Sequence, residues 1–173
     1  MKLFEQLRKN ITLNKSMSKK ESKEKGDMLR DIRKDFYDGL INDLMANKSF
    51  ELSEIVMAEK LKEKFVQTVN DELIGLNIYA AQLKFPEFRQ KFELLIDSES
   101  QFEFTSHISN QLGSTLMKFD SDELKHDRLA LTERITRKMR DNQIQYDGNL
   151  FHNIVYVFTE SQQWQDIASL LRS

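Results

Sequence analysis

Residues 50–85 read FELSEIVMAEKLKEKFVQTVNDELIGLNIYAAQLKF. Leu61, Phe65, Val69, Leu73, Leu76, Ala80 and Leu83 follow one another in steps of four or three. Those steps lay apolar side chains along one stripe of an α-helix, whereas a strand requires steps of two. Lys60, Lys62, Glu63, Lys64, Gln67 and Asn70 fill much of the opposite face in the first half, and Pro86 closes the run. The spacing predicts a single helix of about 30 residues at roughly 1.5 Å each, long enough to span a small domain.

Upstream, Met28, Ile32, Phe36, Leu40 and Leu44 recur every four residues, with Leu29, Tyr37 and Ile41 widening the stripe. Asp27 is a candidate N-cap, Asn47 a stop, and Ser49 or Ser53 a start for the next helix. A connection this short places neighbouring helices side by side and antiparallel. The expected fold is therefore all-α: an irregular bundle of about six to eight helices built on a long antiparallel hairpin, 27–47 against 50–85.

Downstream, Pro86 suits the first turn of a helix carrying Phe88, Phe92 and Leu95. Asp97-Ser98 breaks it, and Ser98 or Ser100 can cap a helix carrying Phe104, Ile108, Leu112 and Leu116. Leu124, Leu131, Ile135 and Met139 form another helical face after the boundary at Phe119–Asp122, and a loop is expected around Gln143–Tyr146. Leu150, Phe151, Ile154, Val155, Val157 and Phe158 are β-branched enough for a strand, but their 3–4 spacing favours a buried helix. Trp164 to Leu171 ends the chain in a short helix.

Composition agrees with this class. Five glycines and one proline in 173 residues are too few for the many tight turns of a sandwich or barrel. The absence of cysteine excludes disulfides, thiolate metal sites and cysteine nucleophiles. No apolar run reaches membrane-spanning length, and Met1–Arg8 lacks the core of a signal peptide. A cytoplasmic protein is expected, although a secreted disulfide-free factor would have the same composition.

Charge is unevenly placed. Residues 1–34 hold eleven Lys/Arg against five Asp/Glu, a balance of +6, and the remainder holds fifteen against twenty-three, or −8. Two parts are expected: a basic N-terminal arm, 1–26, and a single helical domain, 27–173. Within the arm, Leu3, Phe4, Leu7 and Ile11 give a short amphipathic helix. Asn14–Gly26 carries five lysines and one apolar residue, Met17, so it reads as a tether or a solvated helical extension.

The familiar chemical motifs are missing. Gly113-Ser114-Thr115 lacks the lysine and first glycine of a phosphate-binding loop. Asp120-Ser-Asp122 opens like a calcium loop, but Lys125 and Leu131 stand where glycine and glutamate are needed. Glu123 and His126 have the i, i+3 spacing of half a di-iron site without a second Glu-x-x-His. Glu103, His107 and His152 could join them only by convergence of separate helices. No cofactor, metal or catalytic residue is assigned.

The remaining expectation is binding. A non-catalytic adaptor, regulatory or chaperone-like module would dock through Leu3, Phe4, Leu7 and Ile11 on a protein partner or a second copy of itself. Lys9, Lys15, Lys19, Lys20, Lys23, Lys25, Arg30, Arg33 and Lys34 would steer an acidic partner. The alternative is a nucleic-acid-associated factor using the same basic arm. A helical enzyme or metal-binding bundle comes third.

Overall fold

The computed structural model describes residues 19–63, 65–97 and 102–172, with the side chains of 19–25 left aside. Among the described residues every regular element is helical. They are α1 (Lys19–Ala46), α2 (Phe50–Lys62), α3 (Val69–Ala81), α4 (Phe85–Ile96), α5 (Ser106–Leu116), a 3₁₀ turn (Asp122–Leu124), α6 (Lys125–Asp141), α7 (Gly148–Glu160) and α8 (Trp164–Leu170). The all-α multi-helix class expected from the periodicity is the class observed. No described helix is long and apolar enough to cross a membrane.

The expected 50–85 helix is two helices. Chain direction breaks after Lys62 and restarts at Thr68, where the next helix is capped on both sides. The Thr68 hydroxyl accepts from the Asp71 backbone N–H, and the Asp71 carboxylate accepts the Thr68 backbone N–H at 2.8 Å. This reciprocal capping box satisfies donors that a continuous helix would have bonded within its own ladder. Thr68-Val-Asn-Asp71 was legible as a start signal, but the apolar stripe running across it concealed the boundary. At the far end Leu83 sits at φ 56°, outside the helix and exposed.

Two other boundaries differ from expectation. The first described helix begins at Lys19 and runs through Asp27, so Asp27 caps nothing and 19–26 continues the helix. The cap of α5 is Thr105, whose hydroxyl accepts from the Ile108 N–H, rather than Ser98 or Ser100; those serines lie outside the described residues. Asn47 does follow the end of α1, its side-chain amide donating to the Asp43 carbonyl at 2.7 Å.

The central element is α3. Leu73, Leu76 and Ala80 face the main core, shared with Phe88, Phe92, Leu112, Leu131, Ile135, Leu150 and Ile154 of the later helices. Its other side gives Ile78 to a smaller core with Ile41 of α1 and Met57 of α2. A helix clasped on both sides needs small residues where neighbours cross, and Gly75 lies against the Lys91 side chain. Phe85, Phe88 and Phe119 stack and tilt at centroid separations of 4.6–6.2 Å. Among the described phenylalanines, Phe88, Phe92, Phe104, Phe119 and Phe158 are buried, and Phe36 is the exposed one.

Candidate docking surface

The face of α1 that meets the body is set by Tyr37, 6% exposed, and Ile41, fully buried. Tyr37 meets Phe65 edge-on at 6.1 Å, and Ile41 packs with Met57 and Ile78. Two ion pairs fix the antiparallel register of α1 on the next helix: Asp38 with Lys60, and Arg33 with Glu63 at 3.3 Å.

The stripe expected to be core faces elsewhere. A step of four residues turns a helix by about 400°, so each step drifts about 40° and Met28 ends about 160° from Leu44. Five residues at that spacing cannot all face one neighbour. Leu40 and Leu44 reach the edge of the packed face and are half-buried. Met28, Ile32 and Phe36 point the other way and are 56%, 53% and 40% exposed. Ile32 lies nine residues from Ile41, about 180° around the axis. Helix α1 therefore carries apolar residues on two sides, one packed at Tyr37 and Ile41 and one exposed at Met28 and Ile32. The drift was the available signal, and reading the run as a single face missed it.

On α2, Leu52 and Ile55 are a smaller exposed apolar pair, opposite the buried Ser53, Met57 and Lys60 on the helical wheel. Single exposed apolar residues are ordinary, but three on consecutive turns make a contiguous patch.

The expected docking residues Leu3, Phe4, Leu7 and Ile11, with Lys9 and Lys15, lie outside the described residues. Lys19, Lys20, Lys23 and Lys25 stand on the first two turns of α1. Arg30 lies over the Phe65 ring at 5.8 Å, and Arg33 pairs with Glu63. These two arginines thus brace the α1–Phe65 contact. Lys34 is half-buried.

The chemical candidates do not assemble. His107, His126 and His152 are each exposed, and among the described residues no three His, Asp or Glu side chains form a metal-binding group. Gly113, considered for phosphate binding, is a packing glycine: a Cβ there would lie 2.3 Å from Leu150 Cδ1. Asp120 and Glu160 clamp the buried Arg128, whose guanidinium also donates to the Phe119 carbonyl at 3.3 Å. That arrangement ties the loop before the 3₁₀ turn to the end of α7. A cavity of about 280 Å³ between α6, α7 and α8 is lined by Glu133, Thr136, Arg137, Arg140 and Asp166. Two guanidinium groups and two carboxylates there balance in charge, and the Thr136 hydroxyl is committed to the Glu133 carbonyl at 2.8 Å.

The most coupled charges are structural. Lys60, 3% exposed, donates to Asp38 and Asp71, the latter 6% exposed. Burial is the largest influence on both Lys60 and Asp71 and disfavours their charged forms. The mutual hydrogen bonds, with Thr68 added for Asp71, outweigh it, so the Lys60 ammonium is held above its ordinary pKa and the Asp71 carboxyl below. The group locks α1, α2 and the α3 cap together.

No family model matches the chain, and neither a curated protein nor a solved structure matches it.

Proposed function

We propose that this chain is a non-catalytic, helical protein-binding module of the adaptor, regulatory or chaperone-like kind, working through helix surfaces. The observation that carries the reading is the apolar stripe at Met28 and Ile32 of α1, 56% and 53% exposed on the side away from the packed Ile41. Leaving such a stripe in water forgoes the hydrophobic stabilisation that burial would supply, about 25 cal/mol per Å². A partner surface recovers it. Leu3, Phe4, Leu7 and Ile11 supply a second apolar group in the sequence, and the lysines and arginines from Lys9 to Lys34 supply positive charge that raises the rate of encounter with an acidic partner. The fold serves as a rigid base: the Lys60 group and the Tyr37–Phe65 contact hold one side of α1 so that the other is presented.

The test compares partner capture from the native host by the wild type, Ile32→Asp, and a variant with Lys15, Lys19, Lys20, Lys23 and Lys25 changed to Gln. The reading expects Ile32→Asp to abolish capture with an unchanged melting temperature, and the Gln variant to slow association. Fluorescence anisotropy with random-sequence DNA across a salt series is the counter-test. Tight, salt-steep binding lost in the Gln variant and retained in Ile32→Asp would transfer the assignment to nucleic acid.

A further inference from the structure

We infer that the α1–α2 hairpin is a conformational unit that comes away from α3 in one piece while α3–α8 stays folded, uncovering an apolar side of α3. The two cores divide the molecule along this line. Among the described residues, every buried member of the main core lies in α3 or later. The smaller core is built from Ile41 and Met45 of α1, Val56 and Met57 of α2, and Ile74 and Ile78 of α3. Ile74 and Ile78 stand one turn apart, whereas Leu73, Leu76 and Ala80 of the same helix belong to the main core. Releasing the hairpin opens the smaller core and leaves the larger one intact.

The hairpin is closed on itself. Asp38 with Lys60, Arg33 with Glu63 and Tyr37 with Phe65 all join α1 to α2 or to the residues just after it. Its turn is local and recurs in the fold. Lys48, Leu83 and Gln162 take φ of 57°, 56° and 57°. The residue after each takes φ between −83° and −88° and ψ between 61° and 79°. The N–H of that residue donates to the carbonyl five positions back, Ser49 to Leu44, Lys84 to Tyr79 and Gln163 to Phe158, at 2.8–2.9 Å. An aromatic residue, Phe50, Phe85 or Trp164, then opens the next helix. One turn thus closes three hairpins, α1–α2, α3–α4 and α7–α8. The α3–α4 hairpin is stacked on the later helices, α3 on α5 and α4 on α6. Stacked hairpins hold to one another through shared faces, so structure is lost in hairpin units.

The polar links from the hairpin to α3 and the turn after it can be broken without stranding a charge. Lys60 pairs with Asp71, and Glu54 accepts from Lys84 at 2.6 Å and from Gln82 at 2.9 Å. On separation Lys60, Glu54, Lys84 and Gln82 regain water. Asp71 keeps both hydrogen bonds from Thr68, because they belong to the cap of α3 itself. That reciprocal cap starts α3 without help from α2, so the boundary of the unit falls at Thr68. Opening presents Ile74 and Ile78 together. A molecule that binds them draws the equilibrium towards the open form by its preference for that form alone.

Native-state hydrogen exchange of the full chain, followed residue by residue through sub-denaturing urea, tests the unit. Amides of 37–46 and of 51–60 are expected to converge on one opening curve, below the common curve of α4–α7. Matched deletions of one methyl group separate the two cores. Ile135, 1% exposed, stays buried in the main core when the hairpin opens. Ile135→Val should therefore speed the slowest amides of α4–α7 by about two- to tenfold and leave those of α1 and α2 unchanged. Ile78→Val removes its methyl from the smaller core, so it should speed α1 and α2 by a similar factor. Lys60→Met should speed them by about a hundredfold. A single curve for all helices, or α1 and α2 amides that respond to Ile135→Val as α4–α7 do, overturns the inference, because the hairpin then opens only with the whole chain. Separate curves for 37–46 and 51–60 overturn the single unit.

Discussion

Replacing Lys60 with Met removes the cation shared by Asp38 and Asp71 while preserving most of the side-chain volume. Asp38 is 31% exposed and can turn to water at little cost. Asp71 is 6% exposed and cannot. It keeps two hydrogen bonds, from the Thr68 N–H at 2.8 Å and the Thr68 hydroxyl at 2.9 Å, so it is not stripped bare. Breaking a buried pair by removing one partner costs about 3–5 kcal/mol; the retained bonds place Lys60→Met at the lower end, about 3 kcal/mol near pH 7. The pH dependence has a definite sign. In the wild type the depressed Asp71 pKa contributes stability that is present above the unfolded aspartate value, about 3.9, and is lost as pH falls through the folded value. The raised Lys60 pKa contributes stability that is present below about 10.4 and is lost as pH rises through its folded value. Without Lys60 the Asp71 carboxyl loses the cation that holds its pKa down, so its pKa rises from the wild-type position. On acidification the variant protonates first, so its deficit narrows, by up to about 1.4 kcal/mol per pH unit while only the variant is protonated. Urea denaturation of both proteins at several pH values measures this directly. Lys60→Met combined with Asp71→Asn should recover all but about 1 kcal/mol, since a neutral amide oxygen can still cap and needs no cation. A deficit under about 1 kcal/mol at neutral pH, or one independent of pH, would refute the reasoning, because the group would then be no tighter than a surface pair.

Thr68→Ala removes the hydroxyl of the capping box and one of the Asp71 bonds; a loss of about 1–2 kcal/mol is expected by chemical denaturation. Gly39→Ala should stabilise the fold by about 0.5–1 kcal/mol, because the added methyl meets nothing and improves helix propensity. Gly113→Ala should have the opposite sign, a net loss of about 1–2 kcal/mol after the propensity gain, since its methyl would strike the buried Leu150. Calorimetric melting of this glycine pair tests the close approach of α5 and α7 without reference to function.

Candidate-site legibility varied residue by residue. The Glu123–His126 spacing was visible in sequence as half of a paired-ligand pattern, but the exposure of His107, His126 and His152 was not, because it depends on how separate helices pack. The basic arm was visible as composition, but the assignment of Arg30 to Phe65 and Arg33 to Glu63 was not. Those contacts depend on how the first two helices are placed, and nothing near Arg30 in sequence names Phe65. The spacing places Lys60 on the polar face opposite the apolar stripe. It is among the most buried polar groups because the change of direction between α2 and α3 brings Asp71 onto it.

Sequence alone determined the helical class, the approximate positions of the later helices and the stop at Asn47. These follow from the 3.6-residue period and from capping and breaking residues, which act over a few neighbouring positions. Tertiary structure decided which side of α1 is core and which is surface, where the 50–85 run breaks, and that α3 rather than a longer helix stands at the centre. Periodicity places residues on a face of a helix, but only neighbouring helices determine whether that face is covered. In α1 an apolar stripe drifting about 40° per step ran from half-buried Leu40 and Leu44 to exposed Met28 and Ile32, and the packing of Tyr37 and Ile41 against the body settled which side was core.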